Sequence, residues 1–288
     1  MTDNREARDL REIALVVHPR RLVARELADI VESWWQERGI VVHTVIALDG
    51  PVQELFQPDI AFAISLGGDG TMLRTVALAS PSGIPVLGVN LGNLGYLTTV
   101  EPDEIVQACS ILASGNYDIE DRMLLEVSIT SRETGGKIVS NVVSMNEVVV
   151  QKTSDGHTIH LAVKIGDDQF LTYAADGMLV ATPTGSTAYN LSLRGPIVSP
   201  RLAALVMTPI APHMLFDRTL IIEPELRISF ELLPDREAVA VVDGERIAKL
   251  LPGDRVEVEV SPHVARMIKI GDHGFYKILH TKFGLLDR

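Results

Sequence analysis

DIAFAISLGGDGTMLRTVALA, residues 59–79, carries an apolar run into a glycine-rich turn and out again into a stretch of helical character. Residues 59–66 read as a buried strand, and residues 71–79 as a helix that starts directly after the glycines. The same alternation surrounds them. Upstream, residues 12–17 (EIALVV) form a short apolar strand that His18-Pro19 ends. Residues 21–38 follow, with Leu22, Leu27, Ile30, Val31, Trp34 and Trp35 near helical spacing and Gly39 as the stop. Strands at 40–46 (IVVHTVI) and 84–90 (IPVLGVN) complete the pattern. Short strands alternating with helices indicate a largely parallel sheet with helices packed on it.

Near residue 118 the pattern changes. MLLEVSIT, SMNEVVV, HTIHLAVKI, GMLVAT, TLIIEP, LRISFEL, AVAVVDG and RVEVEV are rich in β-branched residues, and several alternate apolar with polar positions. That is how half-buried antiparallel strands read. The expected fold is therefore an α/β N-terminal domain, parallel sheet with helices, over 1–118, followed by a mostly β C-terminal domain over 119–269. The tail 270–288, containing FYKILHTKFGLL, is read as returning to the first domain.

Composition narrows the function classes. Hydrophobic residues at 46% against 22% charged residues describe an ordinary packed chain. A formal net charge of −12 argues against a partner held by a basic surface, nucleic acid above all. Cys109 is the sole cysteine, so no intramolecular disulfide can form, which fits a reducing compartment. The opening MTDNREARDLRE has no apolar signal core, and no apolar run is long enough to cross a bilayer. The expectation is a cytoplasmic protein with no membrane partner. No HExxH and no cysteine cluster is present, so no protein metal cage is expected.

Three stretches carry chemistry. In Ser65-Leu66-Gly67-Gly68-Asp69-Gly70-Thr71 the glycines allow close approach of a phosphate, and the helix start offers free N–H groups. GxxxxGK[ST] and GxGxxG are both absent. A carboxylate in such a turn would repel phosphate, so Asp69 suits a base or a group that orients a hydroxyl nucleophile; the plain alternative is a helix cap. Arg74, one helical turn on, either faces the phosphates or is a solvated cation. Asp176 to Asn190 (DGMLVATPTGSTAYN) ends an apolar strand in a run of hydroxyl donors that suits a sugar and phosphates, or satisfies only itself. Asn146-Glu147 sits within what reads as one apolar strand, VVSMNEVVV, so one of the two polar side chains must face inward or toward a ligand unless the strand bulges there. Asp243-Gly244 reads as a hairpin turn.

Together and in this order, these stretches resemble NAD kinases along nearly the whole chain: LGGDGTMLR (66–74), GVNLGNLGYLT (88–98), MNEVVV (145–150), DGMLVATPTGSTAYNLS (176–192) and VDGER (242–246). GGDGT alone also occurs in lipid kinases; the NE pair and DGxxVxTPTGSTAY are the more specific part. The resemblance implies phosphoryl transfer from ATP or polyphosphate, with Mg²⁺, to the adenosine-ribose 2′-hydroxyl of NAD, with Asp69 as proton acceptor. It places Gly70, Arg74 and Tyr96 around that group, and Asn146, Glu147 and His157 on the acceptor. Ala174 and Ala175 are small and leave room beside the acceptor. Asp176, Thr184, Thr187, Ala188, Tyr189, Asn190, Leu191 and Ser192 match residues that hold NAD, and Ala211, Asp243 and Glu245 match minor contacts. It also implies a homodimer or homotetramer, with Asp69 and the 184–192 segment touching one ligand. One departure stands out: where the family reads SxGGP, this chain has Ser192-Leu193-Arg194-Gly195-Pro196. Arg194 either meets a phosphate or faces solvent. A lipid kinase and a non-enzymatic nucleotide sensor are the competing readings; MLRTV after GGDGT weighs against the first and Asp69 against the second.

Overall fold

The computed structural model describes residues 10–47, 56–57, 59–92, 95–153, 157–234, 236–271 and 274–284. The chain forms two compact units, one comprising residues up to Asp121 and again from His263, the other Arg122–Pro262.

In the first unit β1 (Glu12–Val17) is flanked by β2 (Val41–Ile46) and β3 (Ile60–Gly67), and β3 by β4 (Val86–Asn90), all parallel. Every residue of β3 is buried, as expected of a central strand covered on both faces. Helix α1 (Leu22–Gln36) buries Ala24, Leu27, Ala28, Val31 and Trp35, and Trp35 packs on Phe62 of β3 with ring centroids 5.5 Å apart. Helix α3 (Ile105–Ser114) adds Ile105, Ala108, Cys109 and Leu112 to the same core. Helix α2 (Asp69–Ala79) lies against β3 and β4. It begins at Asp69, two residues earlier than the apolar pattern suggests, because Gly68 takes the extended capping conformation and an acidic residue suits the first turn. The C-terminal helix α5 (Phe275–Phe283) belongs to this unit. No helix among the described residues is long and apolar enough to cross a membrane.

The second unit is mainly antiparallel β. One sheet runs β12 (Leu220–Ile222), β11 (Leu205–Ile210), β10 (Gly177–Ala181), β7 (Glu147–Lys152), β14 (Ala238–Val242), β15 (Glu245–Leu250). The other joins β9 (Asp168–Ala175), β8 (Ile159–Ile165), β13 (Ile228–Leu232) and β16 (Arg255–Lys269), with β5 (Asp118–Ser131) on β16 and β6 (Lys137–Ser144) on β5. Alternate residues of both sheets, among them Val127, Val148, Val150, Leu161, Tyr173, Met178, Phe230 and Val256, form one core. The opposite face of β7, β10 and β11 is also covered, by Val198 and Leu193 against Val149, Leu179 and Val206. This second cover explains why β10 is buried throughout. It also fixes the chain after Ala181, where a 3-10 turn (Gly185–Thr187) leads into the single-turn helix α4 (Tyr189–Ser192).

VVSMNEVVV is not one strand. β6 ends at Ser144 in one sheet and β7 begins at Glu147 in the other, so Met145 and Asn146 form the crossing and Asn146 lies on no strand.

Arg194 is exposed and left-handed, with φ 63°. Backbone geometry alone therefore accounts for glycine being usual at this position. The left-handed conformation costs an L-residue about 1–2 kcal/mol, whereas glycine loses about 0.5–1 kcal/mol more chain entropy on folding. Arg194→Gly should therefore stabilise the fold by about 0.5–1 kcal/mol and raise the melting temperature slightly. A thermal melt showing an unchanged or lower midpoint would refute this.

Candidate functional site

The first unit builds its site at the carboxyl ends of the parallel strands, where the order β2-β1-β3-β4 reverses direction between β1 and β3. His18 N donates to Leu66 O at 3.0 Å and Leu91 N to Gly67 O at 2.8 Å, so the loops after β1 and β4 close on the end of β3. A Cβ on Gly67 would overlap the Thr71 side chain, while Gly68 and Gly70 face open space. Asp69 stands in the first turn of α2, but it does not cap that helix. Its Oδ2 accepts the Tyr96 N–H at 2.9 Å and its Oδ1 the Leu97 N–H at 3.2 Å. Gly95 is obligatory at this junction, since a Cβ there would overlap Asp69 Oδ1 and press on Thr98 Oγ1. The Thr98 hydroxyl is itself buried without a partner among the described residues. Burial, and after it the charge of Asp69, raises the Tyr96 phenol above its ordinary value. Arg74 is half-buried on α2.

The second unit assembles the other stretches around the crossing at Met145–Asn146. Asp243, in the two-residue turn between β14 and β15, takes φ 47° with Gly244 at φ 84°, the hairpin geometry that the Asp-Gly pair indicates. Its carboxylate also accepts the Ser144 hydroxyl and the N–H groups of Met145, Asn146 and Glu147 at 2.7–3.1 Å. A strand could not surrender three successive N–H groups, which is why the chain leaves the sheet at Asn146. Thr182 stitches the hydroxyl run to the same crossing: its N donates to Asn146 O at 2.9 Å, and its Oγ1 to Met145 O at 2.6 Å. A Cβ on Gly185 would overlap Asn146 O, and one on Gly177 would overlap Val150 O, so both glycines mark close backbone approach.

Not all the hydroxyl run is free for a ligand. Ser186 is bonded to Pro183 O and the Val198 N–H, and Thr187 Oγ1 donates to Thr184 O. Asn190 is fully buried; its amide donates to Ser186 O and Pro196 O and accepts the Thr208 hydroxyl. These side chains brace the segment. Tyr189 and Ser192 are exposed, Ala188 and Leu191 half-buried, and Thr184 is buried beside the Arg122 guanidinium at 3.4 Å. The Asn146 side-chain amide makes no hydrogen bond among the described residues. Asp176, at the β9–β10 junction, is ion-paired with Lys152 Nζ at 2.7 Å, and Ala174 O accepts the His213 N–H. Ala211 is exposed and left-handed with φ 43°. Thus Arg194, Ala211 and Asp243, the left-handed non-glycine residues among those described, lie in or beside the stretches singled out from sequence. Glu245 opens β15, and His157 stands exposed before β8.

Glu147 is strongly perturbed. Its residue is 8% exposed, and among the described residues its Oε2 has no partner. Burial first, and the charge of Asp243 second, push its pKa from 4.5 to about 8. A buried carboxyl with an unused oxygen is what a hydroxyl-bearing ligand would complete.

Known proteins agree with this architecture. The family model described as ATP-NAD kinase N-terminal domain matches residues 13–117, and that described as ATP-NAD kinase C-terminal domain matches 145–270. The chain belongs to the NAD kinase family. A NAD kinase of Heliobacterium modesticaldum is 40% identical over 90% of this chain and 92% of its own length; one of Wolinella succinogenes is 33% identical over 96% and 97%. Among solved structures, yeast NADH kinase complexed with NADH superposes with a TM-score of 0.87 over 97% of this chain and 89% of its own, at 23% identity. A NAD kinase from Archaeoglobus fulgidus in complex with ATP gives 0.72 over 96% and 100%, at 24% identity. At these identities the structures establish the shared fold. The family match sets the lipid-kinase reading aside.

Sequence reasoning passed over Gly95, Thr98, Ser144 and Lys152. Gly95 alone carried a usable signal, as the second glycine of LGNLG.

Because the folded state holds the Glu147 proton more tightly than the unfolded chain, the stability it contributes is full below pH 4.5 and is lost as pH rises through about 8. Glu147→Gln should remove that loss, so the variant gains on the parent across this window by an amount on the order of a few kcal/mol at most. Denaturant unfolding at pH 5 and pH 8.5 tests this; equal pH dependence in the two proteins would contradict it.

Proposed function

We propose that this chain phosphorylates the adenosine-ribose 2′-hydroxyl of NAD with ATP as donor, and that Asp69 accepts the hydroxyl proton. In the transfer, the bond from the ribose 2′-oxygen to the γ-phosphorus forms as the bond from that phosphorus to the β,γ-bridging oxygen breaks. ADP departs, NADP is produced, and the proton passes to the Asp69 carboxylate and on to solvent.

One observation carries this reading. The Asp69 carboxylate stands at the start of α2, among glycines without side-chain bulk, held by two main-chain N–H groups. That turn favours phosphate, so a carboxylate in it works against binding and is useful only to a group that must lose a proton. Each carboxylate oxygen keeps a lone pair for the ribose hydroxyl beyond the one given to the loop. Gly70 leaves the approach open, and Arg74 supplies positive charge within one turn.

The acceptor's remaining groups fall to the second unit in this reading. The unbonded Asn146 amide and the unpartnered Glu147 oxygen meet ribose and base. The Lys152–Asp176 pair keeps a carboxylate available for an exocyclic amine or hydroxyl. Thr184 and the exposed edge of 187–192 line the acceptor, while the internal bonds of Ser186, Thr187 and Asn190 hold that edge in shape. Among the described residues no group of three His, Cys, Asp or Glu side chains could hold a metal ion. In this reading Mg²⁺ rides on the donor's own oxygens, where it would offset phosphate charge.

Asp69→Asn keeps the size but replaces one acceptor oxygen with an N–H₂ that would face a backbone N–H, so it disturbs the 95–97 loop as well as removing the base. Turnover should fall by about two orders of magnitude or more, within the ~10²–10⁴-fold range of a positioned base, while calorimetry shows NAD still bound. The assay uses NAD with ATP and, separately, with polyphosphate, and a melt reports the loop's contribution. Near-parental turnover would leave Asp69 as a loop anchor only. No turnover in the parent protein would favour a nucleotide sensor on the same fold.

A further inference from the structure

The last helix of the chain brings a cation to the Asp69 site. Lys282, in the last turn of α5, places Nζ 3.8 Å from the centroid of the Tyr96 ring. Tyr96 is the residue whose N–H holds Asp69 Oδ2 at 2.9 Å. Ring, carboxylate and ammonium therefore form one local group within the first unit. Lys282 is exposed, and it makes no hydrogen bond or ion pair among the described residues. An ammonium has three N–H donors and no acceptor. With an aromatic face on one side, all three remain available for an anion.

We propose that Lys282 is a ligand of the donor's phosphates: seated on the Tyr96 ring beside Asp69, its ammonium meets the phosphoryl group during transfer. This rests on Asp69 being the site of transfer. Charge builds on the oxygens of a phosphoryl group in flight, and fixed cations near those oxygens lower the barrier. Lysine suits this as a compact charge on a four-carbon stem, and the ring limits where that stem can swing. Burial lowers the ammonium's pKa on balance, and the Asp69 carboxylate offsets part of that lowering. That offset places Lys282 within electrostatic reach of Asp69 although no ion pair forms. If Lys282 only completed the end of the helix, its worth would be that of a cation at a helix C-terminus and a ring contact, and nucleotide affinity would not depend on it.

Lys282→Met removes the charge and keeps the stem. In the full-length enzyme it should weaken ATP binding about tenfold or more by calorimetry, raise KM for ATP and lower kcat, and leave NAD affinity within twofold; one lost charge-assisted contact has this size. Lys282→Arg should restore part of the ATP affinity. Lys277→Gln, a matching charge change on the same helix, should alter neither. A Lys282→Met enzyme with parental kcat and KM for ATP and only a lower melting temperature would overturn the proposal, as would equal weakening of NAD and ATP. The Asp69→Asn result separates the two readings: if Asp69→Asn is inactive and Lys282→Met is fully active, Asp69 stands and the phosphate role of Lys282 falls.

Discussion

The Asp69 carboxylate is held on both oxygens by the N–H groups of Tyr96 and Leu97, and the candidate site of the first unit depends on that bracket. A carboxylate at a helix start would ordinarily turn back to cap its own helix. Here it is drawn away by a loop that can come this close only because residue 95 has no Cβ. The result is a carboxylate whose orientation is fixed by the loop; in the proposed transfer this leaves little reorganisation for the reacting complex. The same loop presents the Tyr96 ring, which in turn seats Lys282. Carboxylate, ring and cation are thus positioned by one short segment, residues 95–97, and a change at Gly95 would reach all three.

The second unit uses the same device with a different aim. Asp243 draws four donors from residues 144–147 and forces the chain out of one sheet and into the other. That crossing exposes the Asn146 amide, and the buried Glu147 carboxyl next to it is left with an unused oxygen. Thr182 and Gly185 then bind the hydroxyl run to the crossing through main-chain contacts. In both units a buried or half-buried carboxylate, satisfied by backbone N–H groups, sets the conformation of a loop that carries candidate site residues. Carboxylates do this well because each oxygen accepts more than one bond and charge strengthens every one.

Most of the architecture is legible in the sequence because it depends on periodicity. EIALVV, IVVHTVI and DIAFAISL become β1, β2 and β3 within a residue at either end, and the shift from helical spacing to alternation near residue 118 marks the change to β structure. GGDGT is legible because its glycines and its carboxylate sit side by side. The Asn146 crossing is not: the group that breaks the strand lies up to 99 positions away in sequence, and no local pattern announces it. Asp243 reads correctly as a turn, but its carboxylate's second task depends on tertiary packing. The bracing role of Asn190 is hidden likewise, since a polar residue in a ligand-like run gives no sign of being satisfied by Thr208 and Pro196. Lys282 carries no signal in the sequence; only folding brings it to Tyr96.

The claim on which the rest depends is geometric: Asp69, still held by Tyr96 and Leu97, must reach the acceptor hydroxyl. A crystal structure of the protein with NAD and a non-hydrolysable ATP analogue measures this directly. The account predicts an Asp69 carboxylate oxygen about 2.6–3.2 Å from the ribose 2′-oxygen, with both N–H bonds from the 95–97 loop retained. A 2′-oxygen beyond reach of Asp69, with another carboxylate at hydrogen-bonding distance in its place, would contradict it.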